Sequence, residues 1–402
     1  VHMKPIILTL VSGYLPGFKY GGPIRTIVNM VETLGEEFEF RIITTDKDLG
    51  ESEPYPGVQL NSFNKVGKAM VYYATNDMLS YRKLCNLIRS IPYHVLYLNS
   101  FFNPNFTIRP LILRRFGKLP DKPVIVAPRG EFSEGALRLK RCKKRAFITF
   151  AKALKLYEGV IWQASSKVEE KDIRKWFRKN TRVYIAPDLT DMNSKSMNYQ
   201  LVNKHRKKEK DFLKIIFLSR ISPMKNLDGA LYILKNTKSC IEFNIYGPIT
   251  DQAYWAKCQD IIKQMPSNVK VSYMGSIPPE EVPNTMADHD LFFLPTHGEN
   301  FGHVIFEALS VGTPVLISDQ TPWRNLEAYQ AGWDFPLDQK EQFTKTIDLC
   351  CSLTTEDYSP YNTGAYKYAL NVVESNNAVE ANRQLFLEAI KEGRYTGSHL
   401  ES

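Results

Sequence analysis

The chain has 402 residues, 43% apolar and 24% charged, with a formal net charge of +9. At about 150 residues per domain the length fits two domains or three, and the ordinary globular composition excludes disordered, collagen-like and fibrous classes. No apolar run approaches the roughly 20 residues that span a bilayer, and six cysteines without paired spacing read as reduced thiols of a cytoplasmic protein.

Charge is unevenly placed. Residues 1–200 hold 32 Lys and Arg against 18 Asp and Glu, and residues 201–402 hold 20 against 25. Two halves of opposite sign suggest two domains with different partners.

In chain order, short apolar runs alternate with helical patterns. Ile6–Val11, Phe40–Thr44, Val95–Leu98, Val124–Ala127, Val160–Trp162 and Val183–Ile185 are strand candidates in the first half. Ile215–Leu218, Phe243–Tyr246, Val269–Tyr273, Leu291–Leu294 and Val315–Ile317 follow in the second. Continuous apolar strands separated by helices predict parallel sheets covered on both faces. The first helix opens at Pro23, runs through Ile24, Ile27, Val28, Val31 and Leu34 at helical spacing, and stops at Gly35. The fold class predicted is α/β, with two doubly wound Rossmann-like domains over 1–190 and 212–375. A polar linker over 191–211 joins them, and a C-terminal helix within 376–402 packs on either one. A basic cluster at Lys204, Arg206, Lys207, Lys208 and Lys210 reads as solvated linker. The dense run Arg138, Lys140, Arg141, Lys143, Lys144 and Arg145 lies in a helical stretch with Leu137, Leu139, Phe147, Ile148 and Leu154. It fits a solvated face over a core stripe, or a helix lying on an anionic membrane. Without interleaved aromatics it is not a nucleic-acid surface.

Ligands of open α/β sheets bind beyond the carboxyl ends of the strands, and four features lie there. Ser12–Gly22 follows the first strand, and Gly21-Gly22 would let backbone N–H groups approach a phosphate at a helix start. A plain glycine-rich turn explains it equally. Leu218–Asn226 places Arg220 and Lys225 five residues apart after a strand, a pair suited to a diphosphate. Glu299–Glu307 follows the strand Leu291–Leu294. A helix opening near Gly302 offers the amides of Gly302, His303 and Val304 to an anion, with Glu299 before it and Glu307 about one and a half turns in. Ala127–Phe132 places Arg129 and Glu131 at a first-domain strand end, and Asn99 ends another. Asp288-His289-Asp290 imitates a metal-binding D-x-D, but it precedes its strand and reads as solvated strand-start residues. His297 and His303 complete no metal set. No metal and no cofactor are expected.

The stretch E-N-F-G-H-V-I-F-E followed by A-L-S-V-G-T-P-V-L-I-S-D resembles the E-x7-E signature of the retaining nucleotide-sugar-dependent glycosyltransferases of the GT-B fold, glycosyl transferases group 1 or family 4. S-R-I-S-P-M-K-N is similar to that family's diphosphate motif, and Gly21-Gly22 resembles its first glycine loop. The resemblance implies that Arg220 and Lys225 hold the donor diphosphate with the Gly302–Val304 amides, and with Gly21-Gly22 when the domains close. It implies Glu307 on the ribose and Glu299 on the transferred sugar, with Asn300 and Phe301 beside it. Gly247, Ser276 and Ile277 would border the base. The donor would be a UDP- or GDP-sugar, and the acceptor a glycan or lipid-linked oligosaccharide of bacterial capsule, O-antigen or exopolysaccharide assembly, met in the cytoplasm or at the inner membrane face. One departure stands out: many relatives carry His where this chain has Arg129, which cannot serve as a base. Arg129, Glu131 and Asn99 are then acceptor-side candidates. A GT-B epimerase, a phosphorylase or a non-catalytic nucleotide-sugar-binding protein are the alternatives. A dehydrogenase is disfavoured by the lack of G-x-G-x-x-G.

Overall fold

The computed structural model describes residues 3–138, 141–177, 181–190, 208–375 and 377–398. The chain divides into two compact units, Val1–Leu189 with Asn377–Ser402, and Thr190–Asn376. Residues 191–207, most of the expected linker, lie outside the described residues, as does Lys140 of the basic run.

In the first unit β1 (Ile6–Leu10), β2 (Glu39–Thr45), β3 (Phe63–Val66), β4 (Ala69–Ala74), β5 (Val95–Leu98), β6 (Val124–Val126), β7 (Ile161–Ala164) and β8 (Arg182–Ile185) form one sheet in the order β3-β4-β2-β1-β5-β6-β7-β8. Every pairing is parallel except β3 with β4. The central strands are buried on both faces because helices cover both sides, so they read as unbroken apolar runs. Helices α1 (Gly22–Leu34), α2 (Tyr81–Ser90), α3 (Arg109–Arg115), α4 (Glu134–Arg138), α5 (Arg141–Ala153) and α6 (Lys167–Trp176) connect them. The β3–β4 hairpin was not expected. Its first strand, Phe-Asn-Lys-Val, is half polar and sits at the sheet edge, where no apolar run is required.

The second unit contains β9 (Phe212–Leu218), α7 (Leu227–Leu234), β10 (Cys240–Tyr246), α8 (Gln252–Ile262), β11 (Val269–Gly275), α9 (Val282–Ala287), β12 (Leu291–Leu294), α10 (His303–Ser310), β13 (Val315–Ser318), β14 (Gly332–Phe335), α11 (Lys340–Ser352) and α12 (Thr355–Ser375). Its six strands are all parallel, in the order β11-β10-β9-β12-β13-β14. This order reverses at β9, so the loops after β9 and β12 diverge from neighbouring strands, the place where such sheets hold ligands.

The last helix, α13 (Ala378–Ser398), belongs to the first unit. Phe386 sits 5.4 Å from both Phe38 and Tyr97, ring centre to ring centre, and Leu385 and Ala389 are fully buried. Among the described residues no helix is long and apolar enough to cross a membrane.

Two charged-residue expectations need correction. Lys208 is not solvated: it is buried, and its ammonium donates to the Cys351 and Leu353 carbonyls at 3.0 and 2.9 Å, at the end of α11, with the Tyr358 ring 5.6 Å away. Leu154 is not part of a core stripe but 39% exposed. On α5 only Ile148 and Ala151 are buried, while Arg141, Lys143 and Arg145 are exposed. Lys144 folds inward, donating to the Ala136 carbonyl at 2.6 Å and lying over the Phe102 ring.

Candidate active site

The carboxyl edge of the second sheet is built from three loops tied together. After β9, Asn226 adopts a left-handed conformation (φ 57°, ψ 42°), one that Asn tolerates better than most residues. Its side-chain amide donates to the Pro295 carbonyl at 2.7 Å. The Met224 carbonyl accepts from the His297 amide at 2.8 Å and from the Thr296 hydroxyl at 3.1 Å. The loops carrying Lys225 and Glu299 are thereby fixed, and the Lys225 ammonium forms an ion pair with the Glu299 carboxylate. Both side chains are only 12% exposed. Arg220 keeps solvent-accessible surface, yet the protein crowded around it strips water and draws its pKa down from the ordinary arginine value, while the Glu299 charge draws it back up. It remains a cation.

Helix α10 starts at Gly302, whose φ of 82° lies in the left-handed region; a Cβ there would stand 2.9 Å from Ile305 and 3.2 Å from the Trp323 ring nitrogen. The first amides of a helix have no acceptor within it, and the dipole favours an anion there. His303 is buried with its ring 4.7 Å from Phe301, and Glu307 is half-buried further along the helix. A third loop, after β13, escaped the sequence reading. Its Trp323 donates to the Phe301 carbonyl at 2.5 Å, and the Gln320 carbonyl accepts from the Glu299 amide at 3.1 Å. A tryptophan in the loop segment Thr321-Pro322-Trp323 was the available signal. Gly247 ends β10 with φ 133°, its Cα so near the β9 end that a Cβ would fall 1.9 Å from the Ser219 carbonyl oxygen. Ser276 and Ile277 are half-buried after β11, and Ile277 packs on the core. Arg220, Lys225, Gly247, Glu299, Asn300, Phe301, Gly302, His303 and Val304 all lie on loops or helix starts at this one sheet edge.

His289, expected to be solvated with the rest of the D-H-D triplet, is instead a core residue, 3% exposed. Burial lowers its pKa to about 4, so it is neutral, its Nδ1 2.7 Å from the Thr285 carbonyl and its Nε2 3.1 Å from the Asn244 amide nitrogen. Among the described residues no group of three or more His, Cys, Asp or Glu could hold a metal ion.

In the first unit the loop Ser12–Gly22 is rigidly held. The Asp48 carboxylate accepts from the Phe18 and Lys19 amides at 2.9 and 3.1 Å, and the Tyr73 hydroxyl donates to the Leu15 carbonyl at 2.5 Å. Gly21 caps α1 with φ 69°, and no atom lies within 4 Å of where its Cβ would be. The other first-unit candidates are engaged by neighbouring groups. Glu131 turns its carboxylate to the Ser100 hydroxyl at 2.9 Å and to the amides of Phe101 and Phe102, and burial raises its pKa. Arg129, 9% exposed at its side chain, pairs with Asp188 and donates to the Tyr97 hydroxyl at 2.5 Å and the Asn99 carbonyl oxygen at 2.8 Å.

Two α/β units with these parallel sheets define a GT-B fold. Residues 200–364, most of the second unit, match the family model described as Glycosyl transferases group 1. A protein of Klebsiella pneumoniae described as an uncharacterized 41.2 kDa protein in the cps region is 22% identical over 91% of this chain and 96% of its own length. Among solved structures, sucrose-phosphate synthase of Thermosynechococcus elongatus superposes with a TM-score of 0.72 at 13% identity, covering 97% of this chain and all of that one. The Anabaena protein HepE, solved in complex with UDP-glucose, gives 0.68 at 16% identity over 95% and 98% of the two chains.

Proposed function

We propose that the protein is a retaining glycosyltransferase that moves a sugar from a nucleotide diphosphate donor to a glycan or lipid-linked oligosaccharide during surface polysaccharide assembly. The observation that carries the reading is the convergence of Arg220, Lys225, Glu299 and the α10 start on one sheet edge. HepE binding UDP-glucose and the cps-region relative support a nucleotide-sugar donor and a polysaccharide pathway.

In this reading the sugar–diphosphate bond breaks through an oxocarbenium-like state while negative charge builds on the diphosphate. Arg220, Lys225 and the α10 amides stabilise that charge, the electrostatic contribution that usually dominates. Glu299 contacts the transferred sugar, and Glu307 the ribose. The acceptor hydroxyl attacks the face the diphosphate leaves, its proton passing to a departing phosphate oxygen, so no protein base and no metal are needed. The double variant R220A/K225A should lose at least about 100-fold in turnover, about 2.7 kcal/mol; a double variant within fivefold of wild type refutes the assignment. A thermal-shift screen of UDP-, GDP-, ADP- and CMP-sugars in EDTA should stabilise the protein with one nucleotide series, by about 2.7 kcal/mol at a hundredfold excess over Kd. Stabilisation by none would favour a degenerate donor site.

The exposed cations of α5, on a helix without a single acidic residue and with Phe150 57% exposed, support an anionic membrane surface as a further partner. Co-sedimentation with liposomes should then rise with anionic lipid and fall with salt.

A further inference from the structure

Arg129 stands where its neighbours cannot relax. Its own φ is 55° and that of Gly130 is 79°, two successive left-handed residues at the end of β6. A non-glycine residue holds such a conformation only when its surroundings fix it. Here the Gly130 amide donates to the Glu169 carboxylate at 2.6 Å, and the guanidinium is bonded to three side chains. Burial opposes its charge, but Tyr97, Asp188 and Glu169 outweigh it and raise the pKa, so the cation is permanent.

The bonds lead to specific places in the chain. Asp188 lies two residues before the point where the chain leaves the first unit. The Tyr97 hydroxyl donates on to Gln163 at 2.5 Å, and the Gln163 amide nitrogen donates to Asn382 of α13 at 2.9 Å. Asn382 in turn donates to the Pro187 carbonyl at 2.7 Å, and Asn29 donates to the Leu189 carbonyl at 2.7 Å. Asn382 is fully buried and lies one turn after the chain re-enters the unit at Asn377. Both passages of the chain between the units, outgoing at 187–189 and returning at 378–382, are thus bonded to one network whose charged centre is Arg129 and Asp188. Connected buried networks fix a single geometry; the one gap here is the Asn99 side-chain nitrogen, buried without a partner beside Arg129 among the described residues.

We propose that Arg129 is a positioning residue, not a substrate ligand: through Asp188 and through Tyr97, Gln163 and Asn382 it pins both chain passages to the carboxyl edge of the first sheet. Its effect on turnover is therefore exerted through chain geometry. The functional half of this inference rests on the proposed transferase activity, and the structural half does not.

The test uses the full chain and the variants R129Q, R129K and D188N, with hydrogen exchange read segment by segment. In R129Q the amides of 186–189 and 378–386 should exchange at least about tenfold faster, while those of β12 in the second unit stay unchanged. R129K keeps the charge but loses the planar fork and should fail to restore protection. D188N, the same shape without the charge, should loosen the same two segments and serves if R129Q does not fold. With an active donor–acceptor pair in hand, kcat should fall while donor affinity, which the proposed reading assigns mainly to Arg220, Lys225 and the α10 amides, holds within twofold. Unchanged exchange at both segments in folded R129Q and D188N overturns the proposal. So does unchanged exchange with a raised acceptor KM, which would make Arg129 an acceptor ligand. Loss of all donor binding in the wild type would instead fail the transferase reading and leave the exchange result standing.

Discussion

The Lys225–Glu299 pair allows the stability role of two site residues to be separated from their chemistry. Each side chain is 12% exposed, so neither charge is well hydrated, and each depends on the other for compensation. Breaking a buried pair by removing one partner costs about 3–5 kcal/mol, and the remaining solvent contact reduces that here to about 1–3 kcal/mol. The two single variants are not equivalent. K225M leaves Glu299 with the Arg220 guanidinium nearby, whose charged form the Glu299 carboxylate favours. E299Q leaves Lys225 and Arg220 as two cations at one sheet edge with no carboxylate between them, and should cost more. The double variant K225M/E299Q removes both charges with little change in volume and should return to within about 1 kcal/mol of wild type. Urea unfolding of the four proteins, run as a cycle, gives the coupling. Inorganic pyrophosphate should restore more stability to E299Q than to wild type, because the anion takes the place of the missing carboxylate. All three variants should be deficient in turnover, including the stable double one. Additive single effects, or an E299Q variant indistinguishable from wild type in urea, would refute the reasoning.

Two further perturbations test the frame that holds the site. His289 has a folded pKa of about 4 against about 6.5 when unfolded, so the unfolded chain takes up a proton first as pH falls. Stability from this residue is full above pH about 6.5, declines by about 3 kcal/mol towards pH 4, and is level below; H289Q should remove that part of the slope in urea midpoints measured across pH. Gly247→Ala drives a methyl to 1.9 Å from the Ser219 carbonyl oxygen and adds a positive-φ strain. A cost of about 2–3 kcal/mol and a calorimetric Tm lower by about 4–12 °C follow, with weaker binding of a nucleotide sugar because Arg220 follows Ser219; an unchanged Tm would refute the close approach.

What was legible in the sequence was local. The central strands of both sheets announce themselves because burial on two faces demands unbroken apolar runs, whereas β3, β4 and β14 do not, and the donor-side motifs follow central strands within a few residues. What escaped depends on partners far along the chain. Lys208 sits in a run of lysines whose composition says solvent, yet its place is set by carbonyls at 351 and 353, which leave the end of α11 without helical donors. Glu131 follows an arginine and a glycine at a strand end and so resembles a ligand group. Its carboxylate is taken by the amides of the loop after β5, thirty residues earlier in sequence. Arg129 shows the same effect at a candidate functional position. The sequence places it at a strand end, and position alone suggests substrate contact. Its destination is decided by Asp188 and Tyr97, on two other strand ends, and by what α13 brings beside them. A residue's place on an α/β sheet edge is therefore readable from its strand. Whether its side chain faces the ligand or the frame is settled by charges that only the folded sheet brings together, and for Arg129 those charges face inward.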